Sequence, residues 1–358
     1  MSLYIGLFSY LLIIGFLCFY SKNSFFRNAF KIITFLILAF ILCFRSYEVG
    51  SDSVVYKTIF EQTGSFSLNI TELFSSRFEL GFLFTNEVMY KISHDYTVMF
   101  LFFGGLTLIF WFYGMEKLSK DMYLSLIIFY NFRFFTFAMS NIRQSFAISL
   151  LIVSFIFLVK KRYMLFSIIV IIASFFHLPA IIFLVCILLD KIKLSKKWFI
   201  AGGIGAVVAF FSFDRLLALF LGVFSKYSSY LSTDYFSGEV KISTIINSLI
   251  YISVFIAGEL SINNFKKDRQ LNLLRNIVFL TTLLSIISIN SAMVNRFTLY
   301  FGAFIVIYIP EIIYHIKSKG IKSLVFVGII ILFTCYNFVI MYLKPEWNII
   351  IPYKSVIF

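Results

Sequence analysis

The chain has 358 residues, of which 61% are hydrophobic and only 13% charged, with 49 phenylalanines and a formal net charge of +14. A soluble domain cannot cover that much apolar surface, whereas a bilayer solvates it, so a soluble fold is excluded and a polytopic membrane protein is expected. The positive charge invites a nucleic-acid partner, but its placement along the chain argues against one.

At roughly 20 apolar residues per span, the apolar runs at about 3–20, 29–44, 97–115, 122–138, 146–159, 163–176, 179–190, 198–213, 243–262, 276–292, 297–315 and 322–343 predict about 12 transmembrane helices. They form one all-α transmembrane domain, 1–358. The first run lacks the basic flank and small-residue cleavage site of a signal peptide and reads as the first span. Residues 72–92 carry Glu72, Arg77, Glu79, Glu87 and Lys91, at roughly 2.5–3.5 kcal/mol each too many for a lipid-facing span. They read as a helix on, or dipping into, one face. Two long external segments result, about 45–96 and 214–242. The second, with Tyr227, Tyr230 and Tyr235, suits an interfacial amphipathic helix. Four cysteines, Cys18, Cys43, Cys186 and Cys335, sit singly in apolar runs and read as small core residues.

Loops on a shared side can be pooled. Residues 21–31, 116–121, 160–162, 190–197, 263–275 and 315–322 hold 19 of the 31 Lys and Arg, against four acids (Glu116, Asp121, Asp190, Asp268). The opposite loops hold 11 cations and 11 acids. The positive-inside rule puts the first set in the cytoplasm and both termini outside. Arg133 falls within a span, and Glu259 and Glu311 read as polar contacts inside the bundle.

The external side carries the candidate chemistry. Arg45 precedes Gly50-Ser51-Asp52, a turn signal. Glu79, between Phe78 and Leu80, either faces water as an interfacial anchor or is desolvated into a proton acceptor. Asn141 and Gln144 are spaced as a capping box at a helix entrance. That entrance already offers free N–H groups to an anion, and Arg143 adds a guanidinium suited to phosphate oxygens. Its alternative is an arginine snorkelling to the interface. His177, before Leu178-Pro179, marks a tight external turn; it is either structural or a proton carrier. Arg296 and Tyr300 mark a further entrance, so Arg45, Arg143 and Arg296 could share one anion. No DxD, HxxxH or HExxH pattern and no Gly-rich phosphate loop occurs, so neither a metal nor a cofactor is expected.

Taken in order, Arg45, Gly50, Asp52, Tyr56 and Phe60, then Glu79-Leu80-Gly81-Phe82, Asn141-Ile142-Arg143-Gln144 with Ala147, Lys160-Lys161 leading to Phe176-His177, and Arg296-Phe297 with Tyr300 resemble the EpsG/Wzy-type family of bacterial polysaccharide polymerases. The resemblance implies a metal-independent transferase similar to the GT-C class in the bacterial inner membrane, facing the periplasm. It would transfer a glycan (O-antigen, capsule or exopolysaccharide) from undecaprenyl diphosphate to a sugar hydroxyl of the next lipid-linked unit. Arg45, Arg143 and Arg296, with Asn141, Gln144 and Tyr300, would bind substrate. One of Glu79, Asp52 or His177 would take the proton, with Glu79 preferred and His177 beside the diphosphate. Membrane lipids and a chain-length regulator protein are the other expected partners. An external N-terminus departs from the family's common arrangement. A glycan ligase would need the same diphosphate site. A flippase would need a polar path across the bilayer, which these spans lack.

Overall fold

The computed structural model describes residues 1–65, 78–212, 242–262, 265 and 268–357. Among these the regular structure is helical, with one isolated antiparallel bridge between Arg45 and Ser355. Glu72 and Arg77, and the expected external segment 214–242 with Tyr227, Tyr230 and Tyr235 except its last residue, Ile242, lie outside the described residues.

The helices group into two compact units, Met1–Ile181 with Lys317–Phe358, and Ile182–Ile316. The first contains α1 (Ser2–Phe19), α2 (Ser24–Cys43), α3 (Ser53–Ser65), α4 (Leu80–Ile92), α5 (Thr97–Leu118), α6 (Met122–Asn131), α7 (Phe134–Ser140), α8 (Ile142–Val159) and α9 (Tyr163–Phe176). A short apolar helix, α10 (Leu178–Leu189), follows. The second contains α11 (Lys196–Phe211), α12 (Ile242–Ser261), α13 (Arg269–Ile287), α14 (Ala292–Gly302) and α15 (Ile305–His315), and α16 (Lys319–Leu343) returns to the first.

Among the described residues, seven helices are long and apolar enough to cross a membrane, or nine if each of two bent pairs is one span. All twelve expected runs fall on helices, but α9, α10 and α11 are shorter than the roughly 20 residues a straight span requires. The count of about 12 therefore stands at seven to nine by length. Helix α4, at 13 residues, reaches only about 20 Å, too short to cross, as its charges predict.

The first unit has two distinct ends. At one, Tyr20 donates to Asp121 and Lys31 pairs with Glu116 at 2.7 Å; Asn23 and Asp121 cap α2 and α6 through the Phe25 and Leu124 amides. At the other, the Tyr4 hydroxyl donates to the Ile350 carbonyl at 3.0 Å, and residues 345–356 fold back across residues 44–51. Within this unit the end with Lys31, Glu116 and Asp121 is thus separate from the end with Glu48 and Lys354. Between them, α1 opens into a π-helical turn at Tyr10–Ile14, and Tyr123 donates to the Leu12 carbonyl (3.0 Å). In lipid a backbone carbonyl needs such an internal partner.

The α6–α7 pair bends by 48° at Arg133, whose φ of +68° is left-handed. With the Asn348 amide oriented by its neighbours, Arg133 Nη2 donates to its oxygen at 2.8 Å. In the second unit, Arg269 forks onto Asp190 and Arg275 onto Glu259 (2.5 and 2.6 Å). Gln270 reaches Glu311 at 3.3 Å. Glu259 and Glu311 are therefore polar contacts inside the bundle, as expected.

Candidate functional site

The site is assembled at the nearly neutral end of the first unit. Arg45 is 1% exposed and lies inside the loop that follows α2. Its guanidinium donates to the carbonyls of Leu42, Val49 (3.3 Å) and Met139 (3.0 Å) and covers the Phe100 ring at 3.9 Å. Burial pulls its pKa down to about 10. Its donors thus go to backbone within this loop.

Gly50 has φ +108°, and a Cβ there would collide with the Met139 carbonyl, so only glycine fits. The same carbonyl accepts from Ser53 Oγ at 3.1 Å. The C-terminal segment closes the arrangement: Gly50 donates its N–H to Ile349 (2.9 Å), Ser51 to Asn348 (3.1 Å), and Ser140 Oγ also donates to the Asn348 carbonyl (2.9 Å). The loop is thereby pinned to the end of α7, immediately before the α8 entrance.

At that entrance Asn141 occupies the N-cap position, but its side chain makes no capping hydrogen bond, so the expected capping box is corrected. The cause is local. α7 runs almost directly into α8, leaving Asn141 at ψ 65° rather than in the extended conformation that aims a side chain at the first turn. Gln144 is buried.

Arg143 stands in this first turn, where the positive end of the helix dipole disfavours a cation. Glu79 offsets that: its Oε2 pairs with Arg143 Nη1, and its Oε1 accepts the Leu178 amide at 3.1 Å. The two side chains are only 19% and 17% exposed. Phe78 and Phe82 flank the guanidinium at 4.6 and 5.6 Å. Arg143 Nε is buried and has no hydrogen-bond partner among the described residues.

Close approach makes this contact possible. A Cβ on Gly81 would lie 2.7 Å from the Phe175 carbonyl, so glycine lets α4 abut the end of α9. His177 ends α9, half-buried, its N–H on Ala173 (3.0 Å), and directly precedes Leu178. The expected tight turn is present. Tyr56, on α3, is 3% exposed and hydrogen-bonds Arg143, its ring 5.5 Å from Phe82. Burial pushes its phenol pKa up, and Arg143 opposes the shift. Asp52 is half-buried one turn earlier, accepting from Ser51 Oγ at 3.3 Å.

The fold therefore brings together Glu79, Arg143 and Tyr56, with His177 beside the Leu178 amide and Asp52 one turn from Tyr56. Arg296, exposed, and Tyr300, buried, belong to α14 in the second unit. The functional reading of single residues missed the anchoring by residues 345–356. It also gave Tyr56 no role, although its position four residues after Asp52 puts both on one helix face. No group of three or more His, Cys, Asp or Glu side chains is poised for a metal among the described residues.

No curated protein and no solved structure matches the chain. A family model does, over residues 28–355, so nearly the whole chain is covered. The chain belongs to the EpsG family.

Proposed function

We propose that the chain is a polysaccharide polymerase of the bacterial inner membrane, joining lipid-linked oligosaccharide units at its outer face. The carrying observation is the half-buried Arg143–Glu79 pair at an uncapped helix entrance. Membership of the EpsG family supports the general activity. The excess of Lys and Arg at the opposite end supports an outward-facing site.

In the resting site Glu79 is the counter-ion of Arg143. An arriving undecaprenyl diphosphate exchanges with it, taking the guanidinium fork and the buried Nε–H, which stabilises the charge that develops on the leaving group. Glu79, released, accepts the proton of the acceptor sugar hydroxyl. The hydroxyl oxygen bonds to the anomeric carbon, the bond from that carbon to the diphosphate breaks, and the proton resides on the carboxylate. His177 stands beside the diphosphate, and Asp52 is the competing acceptor. In this reading Arg45 acts by holding the loop.

The test is Arg143→Ala expressed in a strain lacking the chromosomal copy. Single repeat units accumulate on the lipid and polymer disappears. Polymer of normal length from that variant would falsify the role of Arg143. Accumulation of long lipid-linked polymer in the deletion strain would instead identify a ligase.

A further inference from the structure

A groove of about 930 Å³ opens on the first unit, away from Arg143 in its lining. Its walls are Leu3 on α1 and Leu36, Ile37 and Phe40 on α2, all apolar and all within membrane-spanning helices. Its mouth is different in kind. There Ser46 and Glu48 from the pinned loop meet Lys354 and Ser355 from the C-terminal segment. Lys354 forms an ion pair with Glu48, and both side chains are about half exposed (55% and 45%). Tyr353 lies across the boundary, its hydroxyl donating to the Ile41 carbonyl at 3.1 Å.

Apolar walls of this length below a polar mouth fit an amphiphile whose tail lies along the helices and whose head sits at the interface. The mouth also specifies charge. It offers one cation and one carboxylate side by side, with no net charge, so a purely anionic head would meet Glu48 as well as Lys354. A head with a phosphate and an ammonium finds a partner for each. An ion pair this exposed is held only weakly against solvent, so it opens readily to receive one. We propose that this groove binds one zwitterionic aminophospholipid of the bilayer, phosphate on Lys354 and ammonium on Glu48. The site is distinct from the Arg143–Glu79 centre and does not rest on the proposed reaction. Because Ser46 and Glu48 lie in the loop whose next residues, Gly50 and Ser51, bind the C-terminal segment, the lipid braces the loop that carries Asp52.

The test is native mass spectrometry of the full-length protein, released from nanodiscs containing equal amounts of phosphatidylethanolamine and phosphatidylglycerol. One phosphatidylethanolamine remains bound, favoured about tenfold over phosphatidylglycerol, the discrimination expected of one charge-assisted contact. Lys354→Glu lowers that retention about tenfold, and the double variant Glu48→Lys with Lys354→Glu restores it, because both charges are again present. Leu36→Trp, on a wall residue 58% exposed, fills the groove and abolishes retention without disturbing the core. Equal retention of the two lipids, unchanged retention in Lys354→Glu or Leu36→Trp, or displacement of both lipids by an added polyprenyl phosphate would overturn the proposal. Circular dichroism of each variant verifies that the helices persist.

Discussion

The Glu79 carboxylate accepts the Leu178 amide at 3.1 Å across 99 residues of sequence. Its second oxygen holds Arg143, so one side chain ties the start of α4, the turn after α9 and the entrance of α8. The two oxygens can be separated experimentally. Glu79→Gln keeps an acceptor for Leu178 but removes the charge and the proton acceptor. Polymer formation is expected to fall by about 10²–10⁴-fold, with the protein still inserted and folded. Gel sizing of polymer in complemented cells checks this, and activity within a factor of two of wild type would pass the base role to His177 or Asp52.

Arg143→Lys keeps the charge and loses the planar fork. A lysine ammonium cannot bind two oxygens in parallel, nor stack on Phe78 as guanidinium does. Activity should drop by about 10–100-fold, equivalent to roughly 1.4–2.7 kcal/mol of transition-state stabilisation. Lipid-linked repeat units supplied to purified protein give the rate directly. A lysine variant at wild-type rate would mean that simple charge is enough.

Tyr56→Phe removes a hydroxyl and leaves the ring against Phe82. The lost hydrogen bond to Arg143 is one to a charged group, contributing about 1.5–3 kcal/mol. The rate should fall about tenfold or more, while the melting temperature in detergent moves by only a few degrees, because the aromatic packing survives. A large thermal shift with unchanged rate would assign Tyr56 to stability alone.

Gly50→Ala forces a Cβ into the Met139 carbonyl at a left-handed φ. Strain of about 1–3 kcal/mol is expected, releasing the loop from the C-terminal segment. Thermal melting and limited proteolysis of residues 45–53 report it. Insensitivity in both would show that the loop tolerates another path.

The sidedness has its own check. In a background with Cys335 replaced, a membrane-impermeant maleimide should label Lys354→Cys in intact cells and Lys161→Cys only after the membrane is permeabilised. Labelling of both from one face would invert or break the topology.

Much of this arrangement is legible in the primary structure because the bilayer imposes a simple code. Apolar run lengths find each of the seven to nine described helices or bent pairs long enough to span, though they also predict three more at helices too short to do so, and the charge excess separates Lys31 and Lys117 from Arg45 and Arg143. The short reach of α4 follows from Glu87 and Lys91. What escapes is tertiary. Nothing local to Asn348 announces that its carbonyl serves Ser51 and Ser140. The spacing of Asn141 and Gln144 predicts a capping box, but the preceding helix sets ψ at Asn141 and overrides it. Arg45 looks the same in a string whether its guanidinium faces a phosphate or three carbonyls.

The bond from Ser140 to Asn348 spans 208 residues. At about 5–20 residues per second, roughly 10–40 s of synthesis separate the two partners. During that interval the α8 entrance and the loop at Gly50 are already in place but lack the segment that pins them. This end of the first unit therefore matures late, only after α16 has been made and residues 345–356 have arrived. A nascent chain stalled before that point would present Arg143 and Glu79 on an unbraced scaffold, open to whatever lipid or quality-control protease meets it first.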